Sequence, residues 1–252
     1  MAGHSKWSKI KRKKAGVDAA RSRVFSRILR EITIAARLGG GDPAGNPRLS
    51  LAIDNGKSSN LPKDNIERAI KKGTGELGTG ENFEEVVYEG YGPGGVAYIV
   101  EATTDNSKRT VGEVRHAFTR FGGNLGTSGS VSYLFEQKGI ISIPAAGIDV
   151  EAFMLEAIDA GAEDISEDDP EQLEVTTQRE DLFTVHKRLE ELGYTISNAE
   201  LQWIPATEVK LDDATALTNF RLMSYLEDND DVSNVFNNMK MDEETMAVAE
   251  QL

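Results

Sequence analysis

Near residue 80 the apolar residues of this chain change period, from recurrence every three or four positions to alternation, so one sequence must build helices first and sheets afterwards. Between Asp18 and Leu38, the residues Phe25, Ile28, Leu29, Ile32, Ala35 and Ala36 recur at helical spacing, and Gly39-Gly40-Gly41 stops the run. Asn46 and Pro47 carry the N-cap and first-turn signals of a second helix, which runs through Leu49, Ala52 and Ile53 and is expected to stop near Asn55-Gly56. Pro62 opens a third, with Ile66, Ala69 and Ile70 inward and Gly73 at its end. Residues 18–78 thus predict a basic helical domain, and residues 1–17, which show neither period, a basic flexible arm.

"GTGELGTGENF" reads as a linker, after which Val96, Tyr98 and Val100 in "GVAYIVEAT" face one side of a strand. A helix in "SKRTVGEVRHAFTRFG" and a strand in "SGSVSYLFE" make half of an α+β sandwich. The strands "GIISIP", "EDI", "QLEVTTQ" and "ISNAELQWIP", with helices "VEAFMLEAIDAG" and "DLFTVHKRLEELG", follow in βαββαβ order, a ferredoxin-like unit. A strand "EVKL", a helix "DATALTNFRLMSYLED" and a strand "VSNVFNNM" would then complete the first sandwich. The expected fold class is α+β multidomain: a three-helix module, then two ferredoxin-like α+β domains, 79–138 plus 206–252 and 139–205, the third domain inserted in the second. Three consecutive domains with a free carboxy-terminal helix is the alternative.

Charge divides at nearly the same place. Residues 1–72 hold 17 Lys and Arg against 6 Asp and Glu, whereas the remaining 180 residues hold 11 against 36, within a net charge of -14. One segment is suited to a polyanion and the rest repels it. No apolar run approaches the ~20 residues of a membrane span, and the basic opening lacks the apolar stretch of a secretory signal, so a cytoplasmic protein is expected. With no cysteine there is neither a disulfide nor a thiolate metal site.

The candidate nucleic-acid-binding residues follow from this division. Lys6, Lys9, Lys11, Arg12, Lys13 and Lys14 form a run with no acidic residue, able to follow a phosphate backbone regardless of base sequence. Trp7 among them is suited to stack on an unpaired base, or else to fold back onto the helical module. On the first helix Arg23, Arg27, Arg30 and Arg37 fall within about 80° of one another, opposite the apolar stripe, with Glu31 the one acidic neighbour. Lys63, Arg68, Lys71 and Lys72 face outward on the third helix.

Other motifs carry less. "NGKSSN" lacks the glycine a phosphate loop needs five positions before Gly56, where Leu51 stands. The glycines of "EGYGPGGVAYIV" precede a strand instead of opening a helix, which suits a turn. "NLGTSGSVSY" bares amides and hydroxyls that suit a phosphate, although a loop into a strand is the plainer reading. Ser128 and His116 have no nucleophile-elbow context. The seven carboxylates of "AEDISEDDPEQLE" lack the glycine of a calcium loop and read as a solvated loop or a contact for a basic protein. Three dispersed histidines suggest no metal centre. Neither an enzyme nor a cofactor is expected.

"MAGHSKWSKIKRKKAGVDAARSRVFSRILREI", "LPKDNIERAIKKG", "YEGYGPGGVAYIVEATTDNSKRTVGEVRHAF" and "SGSVSYLFE" resemble the YebC/PmpR family over essentially the whole chain, most strongly in residues 1–140. The resemblance implies three domains around a central cavity and a bacterial or organellar origin. For function it implies a DNA-binding transcriptional regulator, or, through similarity to a mitochondrial translational activator, a ribosome-associated factor that contacts ribosomal RNA and assists synthesis of difficult sequences such as proline runs. Neither a helix-turn-helix nor a ribonucleoprotein motif in the sequence chooses between DNA and RNA.

Overall fold

The computed structural model describes residues 7, 10, 11, 17–78, 83–250 and 252. Three helices come first: α1 (Val17–Gly39), α2 (Pro47–Ser58) and α3 (Lys63–Gly73). Their apolar stripes close on one another through buried Ile32, Ala35, Ala36, Leu49, Ala52, Ile66 and Ala69. Asn46 caps α2 by accepting from the Leu49 amide, and its own side-chain amide donates to the carbonyls of Ala35 and Gly40, so one residue ends α1 and begins α2. Gly73 lies where α3 crosses α1: a Cβ there would stand 2.3 Å from the Thr33 carbonyl oxygen. The second helix does not stop at Asn55-Gly56. It continues to Ser58, because the Asn55 side chain exchanges hydrogen bonds with the backbone of Ala199 at 2.8 and 2.9 Å instead of terminating its own helix.

Beyond residue 83 the chain forms two antiparallel four-stranded sheets. It divides into two compact units, one of Met1–Ala20, Glu81–Glu136 and Trp203–Leu252, the other of Arg21–Gly80 and Gln137–Gln202. In the first unit β1 (Glu84–Tyr91), β2 (Ala97–Thr104), β3 (Asn124–Leu125) and β8 (Val232–Asn237) take the order β3-β1-β2-β8. Strand β2 is buried on both faces. Val96, Tyr98, Val100 and Ala102 meet the helices α4 (Ser107–Arg120), α7 (Asp213–Glu227) and α8 (Glu243–Ala249), while Ala97 and Ile99 meet Val131, Phe135, Phe236 and Trp203. Met246 and Ala249 of α8 are buried in that core, so the carboxy-terminal helix is not free. In "EGYGPGG" the first three residues end β1, and Gly92–Gly95 make the turn into β2, with Gly94 and Gly95 at φ of 73° and 78°.

The second unit joins the three helices to β4 (Phe135–Pro144), α5 (Val150–Ala160), β5 (Asp164–Asp169), β6 (Gln172–Gln178), α6 (Leu182–Glu191) and β7 (Asn198–Pro205). The order β5-β6-β4-β7 is that of a ferredoxin-like sheet. The first sheet shares the antiparallel pairing but keeps the β1–β2 hairpin at its centre. Three smaller expectations are corrected. "SGSVSY" is no strand: Ser132–Leu134 form a short 3-10 turn before β4. "EVKL" reduces to one bridge, Val209 to Met239, since Asp212 caps α7 only three residues later. The acidic stretch is not a loop but the β5–β6 hairpin, closed by Asp169 accepting from the Glu171 amide.

Candidate nucleic-acid interface

The period that buries Ile32, Ala35 and Ala36 turns Arg23, Arg27, Arg30 and Arg37 to the opposite side of α1, where Arg27 is exposed and the other three are half-buried. Glu31, the acidic neighbour of this stripe, is held by Arg48 of α2 through a forked pair at 2.6 and 2.9 Å. That pairing was invisible at a separation of 17 residues. On α3, Ile66, Ala69 and Gly73 are buried, while Lys63, Arg68 and Lys71 are exposed and Lys72 is half-buried. Lys63 lies 3.5 Å from Glu67, one turn along. Ile34, which shares the arginine side of α1, is nonetheless buried, so that side is covered toward its carboxy-terminal end, and the exposed cations among these candidate residues are Arg27 on α1 with Lys63, Arg68 and Lys71 on α3.

The arm reading is corrected where the structure describes it. Trp7, Ile10 and Lys11 are helical, and Trp7 is 2% exposed, stacked on Phe220 of α7 at 5.1 Å between ring centres. Its indole N–H donates to the Glu227 carboxylate at 3.0 Å. The indole is thus a core residue of the first unit, not a platform for an unpaired base and not part of the helical module. Lys11 is also committed, with its ammonium 2.8 Å from Glu227, 3.1 Å from Asp228 and donating to the Ser224 carbonyl. An aromatic residue among lysines gave no apolar pattern to read, because its partner lies 213 residues away on another element. Lys6, Lys9, Arg12, Lys13 and Lys14 lie outside the described residues.

The glycine- and serine-rich loop at 124–133 does hold an anion, and the anion is the chain's own. Glu89 of β1 is buried, and its carboxylate accepts from the backbone amides of Gly129, Val131 and Ser132 at 2.7, 2.7 and 2.8 Å. Burial alone would raise its pKa, but the three amides outweigh that and hold it below the ordinary carboxylate range. A phosphate would have to displace it. His116 is exposed on α4 beside the ring of Tyr225, in no catalytic arrangement with Ser128.

The second unit also gathers Asp54 of α2 with His186 and Glu190 of α6, a constellation hidden by 132 residues of separation. His186 is buried, which lowers its pKa and keeps the ring neutral, and its Nδ1 lies 3.8 Å from Glu190. Lys187 also belongs to this cluster. Its ammonium stands 3.3 Å from Asp54 and 2.7 Å from Glu190, with Lys57 a further 2.9 Å from Asp54. Both carboxylates are paired with lysines of the chain, so the cluster ties α2 to α6 as an ion-pair network.

Comparison with known proteins bears on the whole chain. Residues 5–76 match the family model of the TACO1/YebC protein N-terminal domain, and residues 83–239 that of the TACO1/YebC second and third domain. A "probable transcriptional regulatory protein" of Persephonella marina is 56% identical over 98% of both chains. Proteins of the same description from Geobacter sulfurreducens and Chlorobaculum tepidum are 52% and 49% identical, over 98% and 100% of both chains. The crystal structure of a conserved hypothetical protein, Aq1575 from Aquifex aeolicus, superposes with a TM-score of 0.84 at 51% identity, covering 91% of this chain and 94% of that one. No helix among the described residues is long and apolar enough to cross a membrane.

Proposed function

The chain belongs to the TACO1/YebC family, and from that premise we propose that it regulates gene expression as a non-enzymatic DNA-binding protein, gripping phosphates with the outer faces of α1 and α3. The relatives named as transcriptional regulators support the regulatory half of this reading. The observation that carries the binding half is the arginine stripe. Arg23, Arg27, Arg30 and Arg37 share one side of a helix whose opposite face is anchored in a core, with Arg27 exposed and the other three half-buried, so the stripe is held on a rigid element. Arg68 and Lys71 add exposed charge from a second helix of that core.

Phosphate contacts position a protein on a duplex without reading its bases. If about 6 to 10 phosphates are neutralised, affinity for duplex DNA falls about 10³- to 10⁵-fold between roughly 50 and 200 mM salt. Replacing Arg27, Arg30 and Arg37 by alanine should flatten that salt dependence by close to 0.9 per lost contact, about 3 in all. An unchanged slope would sink the reading. Removing the first 14 residues is a poor substitute for this experiment, because it also extracts the buried Trp7. Sedimentation decides the polyanion. Retention of promoter fragments supports DNA, whereas cosedimentation with ribosomes that survives DNase moves the ligand to ribosomal RNA.

A further inference from the structure

Beyond residue 72 the chain is strongly acidic, yet α4 carries Lys108, Arg109, Arg115 and Arg120 with Glu113 its one acidic residue. Arg109 is committed to Asp105 and Asp231, and Glu113 accepts from the Asn229 side-chain amide. Arg115 and Arg120 are exposed, as is Arg221 on the neighbouring helix α7, and none of the three pairs with a carboxylate among the described residues. Tyr225, one turn from Arg221 on α7, is 37% exposed. The Arg120 guanidinium carbon lies 5.0 Å from its ring centre, and the rings of Phe121 and His116 lie 5.7 and 6.4 Å away.

Gly112 adds an independent oddity. It is exposed in the middle of α4, and a Cβ there would meet nothing within 4 Å. Nothing inside the fold requires glycine at a position where it costs about 1 kcal/mol relative to alanine. A bare stretch of helix flanked by arginines lets a strand backbone approach closely. Of the nearby carboxylates Glu227 and Asp228, whose charges would repel a phosphate, Lys11 offsets one through contacts of 2.8 and 3.1 Å.

We propose that this α4–α7 face binds an unpaired nucleic-acid strand, with one base stacked on the Tyr225–Arg120 pair and flanking phosphates on Arg115 and Arg221. It rests on the nucleic-acid reading above for the class of ligand alone, because every residue in it belongs to the first unit, whereas the α1 and α3 arginines belong to the second. An aromatic ring and a guanidinium plane offer a base two stacking surfaces, which a paired duplex base cannot use.

The test is fluorescence anisotropy on the full chain with three labelled probes: oligouridine, oligothymidine and a mixed-sequence duplex. Tyr225→Ala is expected to weaken single-strand binding about 5- to 100-fold and duplex binding by less than about twofold. Tyr225→Phe keeps the ring and should bind as the parent does, and an unchanged melting midpoint for both variants separates binding from folding. Arg115→Ala with Arg221→Ala should reduce the single-strand salt slope by about 1.4. A loss confined to oligouridine assigns the site to RNA, and a loss on both single strands assigns it to either sugar. Tyr225→Ala binding all probes like the parent overturns the proposal, as does an equal loss on single strand and duplex. If Arg27→Ala with Arg30→Ala changes nothing while Tyr225→Ala still does, the α1 reading falls and this one stands. A parent that binds no probe removes both.

Discussion

Trp7 and Glu89 each place a strongly interacting group where local charge pattern gave no hint of it. Trp7 buries its indole on Phe220 and spends its N–H on Glu227. Trp7→Ala should therefore destabilise the protein by about 3–5 kcal/mol in urea unfolding. Trp7→Phe, which keeps the stack and loses the hydrogen bond, should cost about 1–3 kcal/mol. In a Trp203→Phe background Trp7 is the remaining tryptophan, and its emission should resist acrylamide quenching equally with and without nucleic acid. Quenching protection that appears on adding nucleic acid would restore the base-stacking role. Glu89→Gln should cost about 1–3 kcal/mol, because a neutral amide meets three backbone donors with one acceptor oxygen.

At the scale of elements, the helices α1, α2 and α3 are readable because caps and apolar spacing act within a few residues. Asn46 was found as an N-cap from the Asn-Pro pair, and Asn46→Ala should lower the urea midpoint by an amount equal to about 1–2 kcal/mol. Gly73 was found only as a stop signal. Its structural task is steric: alanine would favour the helix by about 1 kcal/mol, but its Cβ would stand 2.3 Å from the Thr33 carbonyl and 2.8 Å from the Ala36 Cβ. Overpacking of that kind costs about 1–3 kcal/mol, so Gly73→Ala should destabilise. A higher melting midpoint would show that propensity wins instead. The sequence does not predict strand β1, because Glu84, Glu85, Glu89 and Gly90 break its alternation, and two of these are buried for tertiary reasons. Glu89 fills the amide nest, and Gly90 lies where a Cβ would stand 2.7 Å from the Asn124 carbonyl oxygen.

Across the whole molecule, carboxylates with lowered pKa values occur in both units: Glu89 and Asp231 in the first, Asp54 in the second. In each, burial pushes the pKa up and is outweighed, by backbone amides for Glu89, by Arg109, Thr110 and Thr104 for Asp231, and by Lys57 and Lys187 for Asp54. A folded pKa below the unfolded one contributes stability that is complete above the unfolded value and vanishes as pH falls through the folded one. The urea midpoint should therefore drop steeply below about pH 4, and less steeply in Glu89→Gln. Equal pH profiles for parent and variant would show that Glu89 contributes nothing to acid sensitivity. The sequence alone determined the helices between residues 17 and 227, most strands, the split of charge along the chain and the arginine stripe, because periodicity, caps and charge counts are set by neighbours within one or two turns. Tertiary structure decided that Trp7 is core, that the glycine-serine loop is filled by Glu89, that Asp54, His186 and Lys187 share one network and that Arg120 lies over Tyr225. Each of those pairings joins residues distant along the chain, and only the folded packing of side chains brings them within a few ångströms.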